Sequence, residues 1–244
     1  MAAFSFSLIL CSVVGTVLAN EYTENESDLR KRLFENYDKL VRPVRSVRGV
    51  IPVQVGLAPL RIKDVDVKDR TVELDTWLYL RWNDAYLRWY PSEYAGLEEL
   101  SISSTEVWKP DIALYTASPD TSLFPSVPTN VVIFHNGTVL WIPPYTFKSR
   151  CPPADGQVTA DTFECTLEMG SWTYDIRRVI VQEREQDVLQ GIGRETFTDE
   201  DTNEKWTLES MTARSERKAY SFCPARYSLV KFDLLFRRKA RSDD

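Results

Sequence analysis

The amino-acid sequence predicts an all-β protein, an antiparallel Greek-key β-sandwich fronted by one N-terminal α-helix. Val72, Leu74, Thr76, Leu78, Leu80 and Trp82 alternate with Glu73, Asp75, Trp77, Tyr79 and Arg81, the period of two that marks a half-buried strand. Further strand-like runs recur at Asn130–Phe134, Val139–Ile142, Trp172–Val181, Trp206–Met211 and Tyr227–Phe236, with polar turns between them. Helical spacing occurs at the front of the chain, where Leu29, Leu33, Tyr37, Leu40 and Val41 recur among charged residues.

Taken in order, Met1 to about Ala19 reads as a removable signal peptide: an apolar block from Phe4, too short to span a bilayer, ending in small side chains before Asn20-Glu21. Residues 20–244 then form one domain, expected to be secreted. The helix follows, with Asn25 or Ser27 placed to cap its start. From Val53 the period changes to two, and the long alternating strand ends near Trp82. Val131 to Ile142 folds back at His135-Asn136-Gly137, because Asn-Gly accepts the positive φ angles of a type I′ hairpin turn. Tyr220 and Tyr227 flank a second hairpin tip. No later stretch approaches the ~20 apolar residues of a transmembrane helix, so a soluble mature protein is expected.

Composition narrows the function. With 43% hydrophobic residues, 9 Gly and 13 Pro, the chain can bury a full-sized core and is neither fibrous nor of low complexity. A net charge of −6 offers no global attraction for phosphate backbones or anionic lipid, so nucleic acid is not an expected partner. The single histidine, His135, cannot supply a histidine-rich metal site or multi-histidine catalysis; no metal and no cofactor are expected. The sequons Asn25-Glu26-Ser27 and Asn136-Gly137-Thr138 make Asn25 and Asn136 candidate glycosylation sites on a secretory route. Losing Cys11 with the signal leaves Cys151, Cys165 and Cys223. Cys151 and Cys165 enclose a hydrophilic loop of about 13 residues and pair naturally, which leaves Cys223 unpaired.

The chemistry is carried by aromatics. Trp77 and Tyr79 fall on the charged face of their strand, where their own core does not explain them. Tyr115 follows Trp108-Lys109-Pro110-Asp111, Trp172 follows Gly170-Ser171, and Tyr220 and Tyr227 frame their hairpin. Together they supply electron-rich faces and hydroxyls without an obvious nucleophile, the chemistry that holds an organic cation by cation–π attraction. An enzyme is not expected. An acidic run at Asp199, Glu200 and Asp201 is the nearest thing to a carboxylate pair, and it reads as a solvated loop. A carbohydrate-binding sandwich is the alternative use of exposed aromatics, without polar groups that can be placed around sugar hydroxyls.

These residues carry a resemblance over nearly the whole chain beyond the signal. The spacing of Cys151 and Cys165 after Phe147-Lys148-Ser149, the Trp108-Lys109-Pro110-Asp111 segment and Gly170-Ser171-Trp172, in this order, resemble the extracellular ligand-binding domain of pentameric Cys-loop receptors, and most of all the soluble acetylcholine-binding proteins. The resemblance implies a homopentamer with ligand sites between subunits. On the principal face it assigns Tyr115 to the first loop, Trp172 to the second, and Tyr220 and Tyr227 to the third. On the complementary face it assigns Trp77, with Tyr79 beside it, and the apolar hairpin positions Val132, Leu140 and Ile142. The implied ligand is a small cation of the acetylcholine or nicotine kind. Two departures stand out. Phe222 and Cys223 occupy the positions where nicotinic members have adjacent cysteines, and residues 152–164 are largely hydrophilic where channel-forming members are apolar. The second departure points to the soluble branch. The first leaves open a family member with a scaffold or assembly role.

Overall fold

The computed structural model describes residues 24–152, 161–184, 205–221 and 223–239, the side chain of Leu60 excepted. The signal segment, the interior of the loop between Cys151 and Cys165, the Asp199–Asp201 run and Phe222 lie outside these residues. Helix α1 covers residues 24–34. Asn25 and Ser27 lie within it and do not cap it. It stops earlier than the apolar spacing suggested, because Asp38 turns the chain: its carboxylate accepts the Leu40 N–H at 2.9 Å and its carbonyl accepts the Val41 N–H at 3.2 Å. Leu40 and Val41 are exposed, Leu40 by 82%. Leu29 and Leu33 bury the helix against the domain, with Phe34 partly buried against the same core.

Eleven strands follow among the described residues: β1 (Ile51–Asp66), β2 (Thr71–Asn83), β3 (Glu99–Ser103), β4 (Ile112–Leu114), β5 (Asn130–Phe134), β6 (Thr138–Trp141), β7 (Pro144–Arg150), β8 (Thr162–Ser171), β9 (Val179–Glu183), β10 (Trp206–Tyr220) and β11 (Cys223–Arg238). They form a seven-stranded sheet, ordered β3-β5-β6-β2-β1-β9 with β7 also on β2, and a four-stranded sheet, β10-β11-β8-β4. The architecture is the expected all-β sandwich. The pairings among these described strands are antiparallel except β1 with β9, which run parallel from Ile51 opposite Val179 to Val55 opposite Glu183.

The inward residues of β2 (Val72, Leu74, Leu78, Leu80, Trp82) join those of β8 (Phe163, Cys165, Leu167, Met169) and β11 (Val230, Phe232, Leu234, Phe236) in one core. This is the alternation read from the sequence, with each strand contributing every second side chain. Cys151 and Cys165 are disulfide-bonded, with Cα atoms 4.7 Å apart, while Cys223 is free. At the open edge of the large sheet, the outward N–H groups of β9 find no backbone ladder. Val181 donates to the Ser228 hydroxyl at 2.7 Å and Glu183 to the Ser215 hydroxyl at 2.9 Å, so serines of β11 and β10 stitch the two sheets together.

Three expectations are corrected. The hairpin at Asn136-Gly137 forms, but its loop has three residues: the Gly137 N–H bonds the Phe134 carbonyl at 2.8 Å and Gly137 alone has positive φ, +82°. That is a type I turn closed by a left-handed glycine, not type I′. The run Trp172–Val181 is a strand only from Val179. Before it, the Asp111 carboxylate takes the Thr173 N–H and the Asp175 carboxylate takes the Arg177 N–H, which removes the donors a ladder would need. Finally, β10 runs well beyond Met211 to Tyr220, paired along its length with β11.

Candidate functional site

The Gly170-Ser171-Trp172 segment ends β8, and the Trp108-to-Asp111 segment leads into β4 beside it. One carboxylate joins them. Asp111 accepts the Ser171 hydroxyl at 2.6 Å and, on its other oxygen, the Thr173 N–H at 2.8 Å and hydroxyl at 2.6 Å. Its backbone carbonyl accepts the Trp172 N–H at 3.0 Å. The indole of Trp172 is therefore held by its backbone and stays 55% exposed. Trp108, by contrast, is buried edge-on against Trp82, ring centres 6.2 Å apart.

Tyr115, just after β4, lies across β8 and donates its hydroxyl to the Ser171 carbonyl at 2.5 Å. Gly170 makes room for it: a Cβ there would sit 2.8 Å from the Tyr115 hydroxyl oxygen. The Tyr115 ring meets Trp172 edge-on at 6.2 Å, and Tyr220 meets Tyr227 in the same manner at 5.9 Å. These four aromatics, with Glu168 and Lys218, line one open cavity of about 440 Å³, within the range of small-molecule sites. Burial pushes the Tyr115 and Tyr220 hydroxyls above the ordinary phenol range, so both stay neutral donors at physiological pH.

Sequence reasoning missed Glu168 and Lys218. Lys218 Nζ bonds Glu168 at 3.1 Å and stands 5.5 Å from the centre of the Tyr220 ring. The other Glu168 oxygen bonds Lys231 at 3.2 Å, and Lys231 in turn bonds Glu216 at 2.9 Å. Burial works to raise the Glu168 pKa, but the hydrogen bonds from the two lysines outweigh it and hold the carboxyl below the ordinary glutamate value. The signal was present: Glu216, Lys218 and Tyr220 share a face of β10 at period two, yet a charged alternation reads as solvated.

The complementary positions fall elsewhere. Trp77, Tyr79, Val132, Leu140 and Ile142 have the outward parity of the large sheet, and none lines the aromatic cavity of the same chain. Leu140 sits opposite both Val132 and Arg81. Trp77 is 41% exposed and Ile142 39%, while Val132 and Leu140 are half-buried. Tyr79 differs from Trp77: it is only 7% exposed, because the Arg184 guanidinium lies 4.1 Å from its ring centre. Gly56, opposite Tyr79 on β1, lets Arg184 cross, since a Cβ there would already touch the arginine side chain at 3.3 Å. Asn136 is exposed at its hairpin tip and Asn25 is half-buried in α1. Among the described residues no helix is long and apolar enough to cross a membrane, and no cluster of three or more His, Cys, Asp or Glu is placed to hold a metal ion.

Comparison with known proteins agrees with this geometry. The neurotransmitter-gated ion-channel ligand binding domain family matches residues 26–240. The chain is 34% identical over 215 residues to the human neuronal acetylcholine receptor subunit alpha-5, covering 88% of this chain and 44% of the relative. It is 31% identical over 232 residues to the acetylcholine receptor subunit alpha-type acr-16 of Caenorhabditis elegans, covering 95% and 45%. It is also 31% identical over 241 residues to the Drosophila melanogaster acetylcholine receptor subunit alpha-like 2, covering 94% and 41%. The chain thus spans less than half the length of the curated relatives it matches. With the disulfide, the two joined motifs and the sandwich in place, the chain belongs to the family of neurotransmitter-gated ion-channel ligand binding domains, the extracellular ligand-binding domains of Cys-loop receptors.

Proposed function

We propose that this protein is a secreted, soluble homopentamer that binds small organic cations of the acetylcholine or nicotine kind in an aromatic cage between subunits, without catalysing a reaction. The observation that carries the reading is the gathering of Tyr115, Trp172, Tyr220 and Tyr227 around one open cavity, a half-cage that the described residues of the chain leave open on one side. Trp172 presents its ring to the ammonium, and the three tyrosines surround it. Trp77 of the neighbouring subunit closes the site, with Val132, Leu140 and Ile142 packing on the ligand's apolar end and Tyr79 behind them. Support for the second half comes from the exposed indole of Trp77, which its own subunit leaves uncovered.

Calorimetric titration of the purified chain with acetylcholine, nicotine and a neutral sugar tests this. The two amines are expected to bind and the sugar to be silent. Binding of the sugar alone would instead make this a carbohydrate-binding sandwich, and silence of all three would leave a scaffold or assembly role.

A further inference from the structure

The aromatic cavity contains a charge arrangement that a receptor for simple monocations does not need. Lys218 projects from β10 into its lining, and the ammonium already lies over the Tyr220 ring at 5.5 Å. It is the terminal member of an alternating chain: Lys218 to Glu168, Glu168 to Lys231, Lys231 to Glu216, Glu216 to Arg214 and Arg214 to Asp233. Every inner member of the chain has partners on two sides. Lys218 has one carboxylate oxygen, and Glu168 divides its charge between two lysines.

An ammonium has three donors, so Lys218 retains hydrogen-bonding capacity towards the cavity after meeting Glu168 and the Tyr220 ring. A ligand cation entering among Tyr115, Trp172, Tyr220 and Tyr227 therefore meets favourable ring faces and, in the same lining, a fixed positive charge beside the Tyr220 ring. A ligand that carries a carboxylate at its far end turns that like-charge contact into an attractive one.

Resting on the cation-cage reading above, we propose that Lys218, tethered by Glu168, makes this cavity selective for zwitterionic ammonium ligands, with the cationic head on the aromatic rings and a carboxylate on Lys218. The ligand class is a small betaine, a quaternary or tertiary ammonium joined to a carboxylate by a short apolar spacer. Glu168 is a positioning residue here, since it touches the lysine and orients it beneath the ligand.

The test uses a matched pair, γ-butyrobetaine and its methyl ester, which share the trimethylammonium head and spacer and differ in the carboxylate charge. The full chain is titrated with each by calorimetry. The parent is expected to bind γ-butyrobetaine at least about tenfold more tightly than the ester, the size of effect a charge-assisted contact gives. Lys218→Gln should remove the preference, and Lys218→Arg should restore most of it. Trp172→Ala should weaken both ligands together. If the ester binds the parent as tightly as the betaine, or the preference persists in Lys218→Gln, the selectivity proposal is overturned while the cage reading stands. If neither ligand binds the parent, both readings fail.

Discussion

At Trp172 the indole is positioned by what its neighbours do. Asp111 gathers the Ser171 hydroxyl, the Thr173 amide and the Thr173 hydroxyl, and the ring itself contributes little burial. Trp172→Ala is therefore expected to leave thermal unfolding nearly unchanged and to weaken cation binding by about 1–2 kcal/mol or more, the range for a cation on a desolvated ring. Titration calorimetry alongside a melting curve checks both halves. A variant that unfolds would make Trp172 a core residue. Glu168 makes a second expectation at this scale. Its folded pKa is depressed, so its contribution to stability is present above the ordinary glutamate value of 4.5 and is lost as pH falls through the folded value. Asp84 is raised, chiefly by burial, and slopes the other way, but equally in parent and variant. Urea unfolding at about pH 7 and about pH 3 should show the parent losing more stability on acidification than Glu168→Gln. The four aromatics that line the cavity were legible because each sits at a marked motif or hairpin. Glu168 and Lys218 were not, since a carboxylate and a lysine on exposed-looking strands carry no local sign of the cavity between them.

At the scale of single elements, the turn between β5 and β6 is the part the sequence predicted by mechanism and missed in type. Gly137 occupies the left-handed region at φ +82°, and a Cβ there would run into the Asp84 carbonyl oxygen as well as the Arg88 side chain. Asp84 also holds the turn directly, donating its backbone N–H to the Gly137 carbonyl at 2.7 Å. Gly137→Ala is thus expected to cost more than about 1 kcal/mol in urea unfolding, beyond what an ordinary loop glycine would. An unchanged midpoint would mean that the hairpin relaxes freely. The length of β10 was hidden for a different reason. Its buried positions are few, so Arg214, Glu216 and Lys218 alternate with other polar residues and leave no amphipathic pattern. Conversely, the apolar and aromatic residues after Trp172 read as strand, although aspartate side chains hold them in a turn.

For the molecule as a whole, the sandwich class was legible because alternation is a local property that every long strand repeats. Which strands become neighbours was not: the parallel contact of β1 with β9 joins segments more than a hundred residues apart and leaves no trace in either. The same holds for the separation of the two sets of expected site residues, the cavity aromatics at the four-stranded sheet and Trp77 with the hairpin residues at the seven-stranded one. Their separation leads to an expectation about assembly. Light scattering of the purified chain should give about five times the subunit mass, as a closed ring of heterologous contacts requires. A monomer that still binds ligand would contradict a site shared between copies.

The serine contacts along β9 give this sandwich a particular mechanical character. A ladder of amides fixes register along a whole strand, whereas each serine oxygen accepts a single bond from one β9 amide, Ser228 from Val181 and Ser215 from Glu183. Along this edge the two sheets are thus fastened at points, by side chains, and the long β10–β11 ribbon that carries Tyr220 and Tyr227 is tied to β9 through those two residues.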